Sequence, residues 1–196
     1  MAGANYIIFV RLTSEILVAF PGFSDIIKLS KERKPKLMDI TFTKKSIRKI
    51  GKWLKNNGFN VKCSRIEDDD SPAFIISLED EMYILLPKHY DEEPDGMFMK
   101  CLRDLGMKSN FDATTLSILH ELGHAQTYPL FTEEEWEGFN KEKDIINERD
   151  EEAAFFDYWN VKNELAANRW LVMFADCCPQ KVQELENIIE KYVKFG

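Results

Sequence analysis

Histidine is scarce in this chain, three residues in 196, and the four cysteines, Cys63, Cys101, Cys177 and Cys178, form no C-x-x-C pair. The adjacent Cys177 and Cys178 make a poor disulfide framework, so the cysteines read as free thiols of a reducing compartment and point to a cytoplasmic protein. Their spacing excludes a cysteine-built zinc cluster as well. Long apolar runs are also missing. The most apolar N-terminal stretch, residues 6–20, is broken by Arg11 and Glu15 and has no basic region before it. That pattern predicts neither a signal peptide nor a membrane span. Internal repeats and low-complexity tracts are lacking too, which excludes solenoid and linker architectures.

What remains is an ordinary globular composition, 44% hydrophobic and 31% charged. A chain of this length buries roughly 70% of the surface it exposes when unfolded, enough for one domain with its own core. We expect a single domain over 1–196, with a sheet-rich part at 1–90 and a helical part at 91–196. The net charge of -8 conceals a split. Residues 1–62 carry 13 basic and 4 acidic side chains, or +9, and residues 63–196 carry 13 basic and 30 acidic, or -17. Attraction between two parts of one fold explains such a split more simply than a nucleic-acid face does.

Along the chain, residues 6–10 read as a short strand, and the stretch up to Lys36 as loops around a short helix. Ile47, Ile50, Trp53 and Leu54 recur at helical spacing, opposite Lys44, Lys45, Arg48, Lys49, Lys52 and Lys55, and Asn57-Gly58 ends that helix. A strand is expected at 59–66 and a hairpin from 73–78 and 82–86. Together they predict an antiparallel sheet of three or four strands before residue 90, with one strand left as an edge. Residues 97–105 form a short helix stopped by Gly106. Asp112 caps a helix reaching about Gln126, and Thr132 with Glu135 forms a capping box. One long helix is expected over 148–174, and Pro179 opens the last.

The chemistry is concentrated in His120-Glu121-Leu122-Gly123-His124, an H-E-x-x-H run. On a helix, positions i and i+4 lie one above the other, so both imidazoles can face one zinc ion. Glu121 is set off to the side, where it can take a proton from a water on the metal. Gly123 costs about 1 kcal/mol of helix propensity relative to Ala, which a close backbone approach by another element would explain.

Catalytic zinc takes three protein ligands and keeps a position open. The remaining histidine, His89, follows Pro87 and is expected in a loop. Glu148, Glu151, Glu152, Asp157 and Glu164 all lie on the long helix and compete for the third place. Glu164 is preferred because Ala166 and Ala167 beside it let two helices come close.

His120 to His124, followed by Glu164-x-x-Ala167-Asn168-x-Trp170, resembles the active site of the ImmA/IrrE family of small metallopeptidases. The resemblance covers about residues 112–175. It departs at Trp170, where the family usually has Phe, and at Leu171, where it usually has Ala. The segment between the two motif helices is also longer than usual. The resemblance implies an α+β, zincin-like fold of minimal gluzincin type: a small antiparallel or mixed sheet followed by two active-site helices. It further implies Zn2+ as cofactor, His120, His124 and Glu164 as its ligands, and Glu121 as general base in peptide-bond hydrolysis.

The developing oxyanion needs a further donor, for which Tyr128, Tyr158, Arg169 and His89 compete, with the two tyrosines in front. Asn168 is placed to hold Glu164 or a ligand histidine by a hydrogen bond. A protein or peptide substrate is expected to add itself to an edge strand of residues 73–86. Two other classes compete: a catalytically silent zincin-fold regulatory or binding protein, and a nucleic-acid binder using the basic N-terminal third. Glu121 argues against the first, because a structural zinc needs no base. The basic lysines read more simply as the wet face of a helix.

Overall fold

A computed structural model describes residues 38–67, 71–77, 79–92, 96–149 and 152–196. The strand expected at 6–10 and the loops and short helix expected up to Lys36 lie outside the described residues. The architecture is α+β, with two small sheets followed by helices, as the zincin-like expectation requires.

The first helix among the described residues, α1 (Lys44–Asn56), starts where the Thr43 hydroxyl accepts from the Ser46 N–H at 3.1 Å. Its buried stripe is Ile47, Ile50, Trp53 and Leu54, while Lys44, Lys45, Lys52 and Lys55 are exposed. Gly58, at φ 82°, ends the turn in a left-handed conformation that suits glycine.

The strands depart from expectation, because the described residues form two three-stranded sheets and neither is the single antiparallel sheet predicted before residue 90. In the first sheet β2 (Lys62–Ile66), β3 (Ala73–Ile76) and β4 (Met82–Pro87) lie in the order β2-β4-β3. The expected hairpin forms, with Ala73 opposite Leu85 and Ile76 opposite Met82. However, β2 runs parallel to β4, with Cys63 opposite Ile84, so the sheet is mixed. The cause lies in β4. Ile84, Leu85 and Leu86 are consecutive and all buried, and a strand covered on both faces takes the centre of a sheet. That leaves β3 at an edge.

In the second sheet β1 (Met38–Thr41) lies between β5 (His89–Glu92) and β6 (Lys194–Phe195), antiparallel to both. Lys88 alone separates β4 from β5. Its N–H donates to the Ile66 carbonyl at 2.9 Å and its own carbonyl accepts from the Phe42 N–H at 3.0 Å, tying the two sheets together. The helical part thus ends by returning to a sheet through β6.

Six more α-helices follow among the described residues: α2 (Met97–Asp104), α3 (Ala113–Thr127), α4 (Glu133–Asn147), α5 (Glu152–Asn160), α6 (Lys162–Cys177) and α7 (Pro179–Tyr192). The expected caps form. Asp112 accepts from the Thr115 N–H at 2.8 Å, and Thr132 and Glu135 complete their reciprocal box. Every residue of α3 from Ala113 to Ala125 is buried, so this helix is the spine of the domain, packed on all sides.

The single long helix expected over 148–174 is broken. Val161 adopts ψ 135°, which ends α5 and redirects the chain into α6. Neither Pro nor Gly marks the place. Asn160, a weak helix former, folds its amide back onto the Phe156 carbonyl at 2.8 Å, and Val161 is drawn into a small apolar cluster with Phe139, Ile146, Ala154, Tyr158 and Trp159. That cluster is separate from the main core, to which α1, α3, α6 and α7 contribute Ile50, Leu119, Leu171 and Leu185.

Candidate metal centre

Two helices build the site. On α3 the i, i+4 spacing sets His120 and His124 side by side, with their Nε2 atoms 3.1 Å apart. Across from them α6 presents Glu164, whose Oε2 lies 3.2 Å from His120 Nε2 and 3.3 Å from His124 Nε2. All three side chains are fully buried. Their ligating atoms lie within 4.8 Å of one another, the one such group of three among the described residues.

The helices reach this distance because Gly123 has no side chain. A Cβ on Gly123 would stand 2.6 Å from the Ala167 carbonyl oxygen and 3.0 Å from its Cα. The close approach inferred from the sequence is therefore present, between a glycine on α3 and an alanine on α6.

Each group is oriented by a neighbour. Asn168 Oδ1 lies 2.9 Å from His120 Nδ1, so a proton on Nδ1 donates to the amide and the Nε2 lone pair faces Glu164 and His124. Of the two roles open to Asn168, it takes the one on a histidine, His120. Lys143, on α4, donates from Nζ to Glu164 Oε1 at 2.8 Å. Sequence reasoning missed this lysine, which sits among Lys141, Glu142 and Asp144 in what looks like a wet helix face. A signal did exist: Trp136, Phe139, Lys143 and Ile146 are the buried residues of α4, so Lys143 occupies its apolar stripe.

The electrostatics follow from burial and pairing. Burial alone would raise the Glu164 carboxyl, but the Lys143 ammonium and the two imidazoles hold it well below the usual carboxylate range. Burial pulls His124 down to about 4. His120 is also opposed by burial, yet its hydrogen bond to Glu164 and the charge of Glu121 carry it above its ordinary value. Glu121 differs from all of these. Both of its oxygens are buried without a hydrogen-bond partner, and burial pushes its carboxyl up to about 8. The nearby Phe74 backbone N–H, on edge strand β3, opposes that rise.

Aromatic rings wall the site. Phe74 stacks on His124 at 6.3 Å between centroids, Trp136 meets His124 at 5.9 Å, and Phe98 and Trp159 meet His120 at 5.6 and 5.4 Å. Trp159 belongs to the small apolar cluster, and the same ring is also a wall of the site.

The remaining candidates divide. The Tyr158 hydroxyl is buried without a hydrogen-bond partner, and burial with the Glu164 and Glu121 charges raises it well above its ordinary value. Tyr128 is half-buried, packed on Phe74 and Trp136 at 6.2 and 5.3 Å. His89 is exposed on β5, with Nδ1 3.1 Å from the Thr41 hydroxyl, and is neither in a loop nor among the metal-ligating group. Arg169 is exposed, as is Glu148, and Asp157 pairs at the surface with Arg149 at 2.8 Å. Glu151 and the Glu152 side chain lie outside the described residues.

Two imidazoles, one carboxylate and an unpaired glutamate beside them fit a zincin-type H-E-x-x-H site able to take a divalent metal. Comparison with protein-family models, curated proteins and solved structures returned no match.

Proposed function

We propose that this protein is a zinc-dependent metallopeptidase, similar to the ImmA/IrrE family, that hydrolyses peptide bonds in a protein or peptide substrate within the cytoplasm. One observation carries the reading: three buried donors, His120 Nε2, His124 Nε2 and Glu164 Oε2, converge beside a glutamate whose oxygens have no partner. A structural zinc would be closed by a fourth Cys or His. Among the described residues no such group joins the three.

Zinc held by His120, His124 and Glu164 would supply Lewis acidity, polarising the scissile carbonyl and bringing a water's pKa toward 7. Glu121 is the general base. Its carboxyl is high because it is buried, and a dication held by the three ligands would favour the ionised form that accepts a proton. After taking the water proton, Glu121 delivers it to the leaving amine. Tyr158 supports the oxyanion, since its buried hydroxyl has a proton to give and no other partner. Tyr128 is the second donor candidate, from the far end of α3. An extended substrate adds to the edge of β3 that no strand among the described residues covers.

No helix among the described residues is long and apolar enough to cross a membrane. The test is zinc stoichiometry together with cleavage of a random peptide library. Wild type is expected to bind one zinc per chain and to cleave. Glu164→Gln is expected to lose both. Full zinc binding by the Gln variant would overturn the ligand set.

A further inference from the structure

Among the described residues Lys143 is the only buried lysine, with its side chain 4% exposed. Burying an ammonium is costly unless it is paired, so its position calls for a physical account. Its Nζ donates to Glu164 Oε1 at 2.8 Å and lies 5.9 Å from the centre of the Tyr158 ring, within cation-π reach. The two oxygens of Glu164 are thus divided: Oε1 faces Lys143, and Oε2 faces the imidazoles at 3.2 and 3.3 Å.

We infer that Lys143 is a positioning residue that reserves Oε2 of Glu164 for the metal and keeps Oε1 out of its coordination sphere. This rests on the metal reading above. An unrestrained carboxylate can bind a cation through both oxygens, which would fill the position a reacting water needs. A positive charge so close to a dication opposes metal binding, so affinity alone does not account for a lysine at this position. Geometry does, because an ammonium donor fixes one oxygen of a carboxylate by a short, charge-assisted hydrogen bond. Lys143 also ties α4, which carries the Trp136 wall, to the ligand on α6.

The test replaces zinc by cobalt(II), whose visible absorption is strong when four-coordinate and weak at higher coordination, in the full-length protein. Wild type is expected to give the strong four-coordinate spectrum. Lys143→Met is expected to bind cobalt at least as tightly as wild type, yet to show absorption reduced severalfold. The zinc-loaded Met variant should lose about tenfold or more in kcat with little change in KM. Lys143→Arg, which keeps a charged donor, should restore the wild-type spectrum. Lys143→Gln, too short to reach Oε1, stands in for the Met variant if that one does not fold. A Met or Gln variant with an unchanged cobalt spectrum overturns the inference, as does an Arg variant that behaves like Met. A wild-type protein that binds no cobalt would sink the metal reading itself, which is a separate and distinguishable failure.

Discussion

Gly123 on α3 and Ala167 on α6 touch backbone to backbone, so closely that a single methyl group on Gly123 would reach to 2.6 Å from the Ala167 carbonyl. This contact sets the distance between the helix carrying the two histidines and the helix carrying Glu164. Gly123→Ala gains about 1 kcal/mol of helix propensity but must push α6 away, and overpacking of a tight contact costs about 1–3 kcal/mol. We expect a net loss of stability by denaturant unfolding, together with weakened zinc binding. Gly138, also on a helix, has nothing within 4 Å of an added Cβ, so Gly138→Ala should stabilise by up to about 1 kcal/mol and leave zinc binding alone.

Asn168 fixes the tautomer of His120 through the 2.9 Å contact to Nδ1. Removing such a partner costs about 10–100-fold in metal affinity or activity. Asn168→Ala should therefore bind zinc about 10–100-fold more weakly in a chelator competition, with the fold intact by circular dichroism.

Trp136 is 1% exposed and covers His124, with its indole N–H donating to the Tyr128 carbonyl at 3.3 Å. Trp136→Leu keeps an apolar group but removes much of the wall. A chelator should strip zinc from this variant severalfold faster than from wild type. An unchanged rate would mean that Trp136 does not guard the metal.

Away from the site, the Asp176 carboxylate accepts from the Ser109 hydroxyl at 2.6 Å and from the backbone N–H groups of Ser109 and Lys108 at 3.0 and 3.2 Å. These bonds hold its carboxyl below the ordinary value, with the Ser109 hydroxyl the largest cause. A carboxyl with a lower pKa folded than unfolded stabilises above the unfolded value of about 3.9, and that contribution is lost as pH falls through the folded value. Asp176→Asn should therefore be less stable than wild type at pH 7, and the gap should close on acidification below pH 3.9.

What could be read from the sequence was what is local. The i, i+4 pair, the Asp112 and Thr132 caps and the 73–86 hairpin each depend on a few adjacent residues, and each forms. Glu164 could be preferred only through its small neighbours, because convergence across 40 residues leaves no local trace. The parallel pairing of β2 with β4 was illegible for the same reason, although the unbroken Ile84-Leu85-Leu86 run was a clue to a central strand. Val161 broke the expected long helix without Pro or Gly, since its burial in a tertiary cluster outweighs helix continuation. Lys143 was hidden by its charged neighbours, and only the spacing of Trp136, Phe139 and Ile146 marks it.

In the proposed mechanism Glu121 acts as a base beside a metal it does not bind. The most direct test is Glu121→Gln, assayed for zinc content and for peptide-library cleavage under identical conditions. One zinc per chain with cleavage abolished is the expected result. Cleavage at the wild-type rate by the Gln variant would contradict the account.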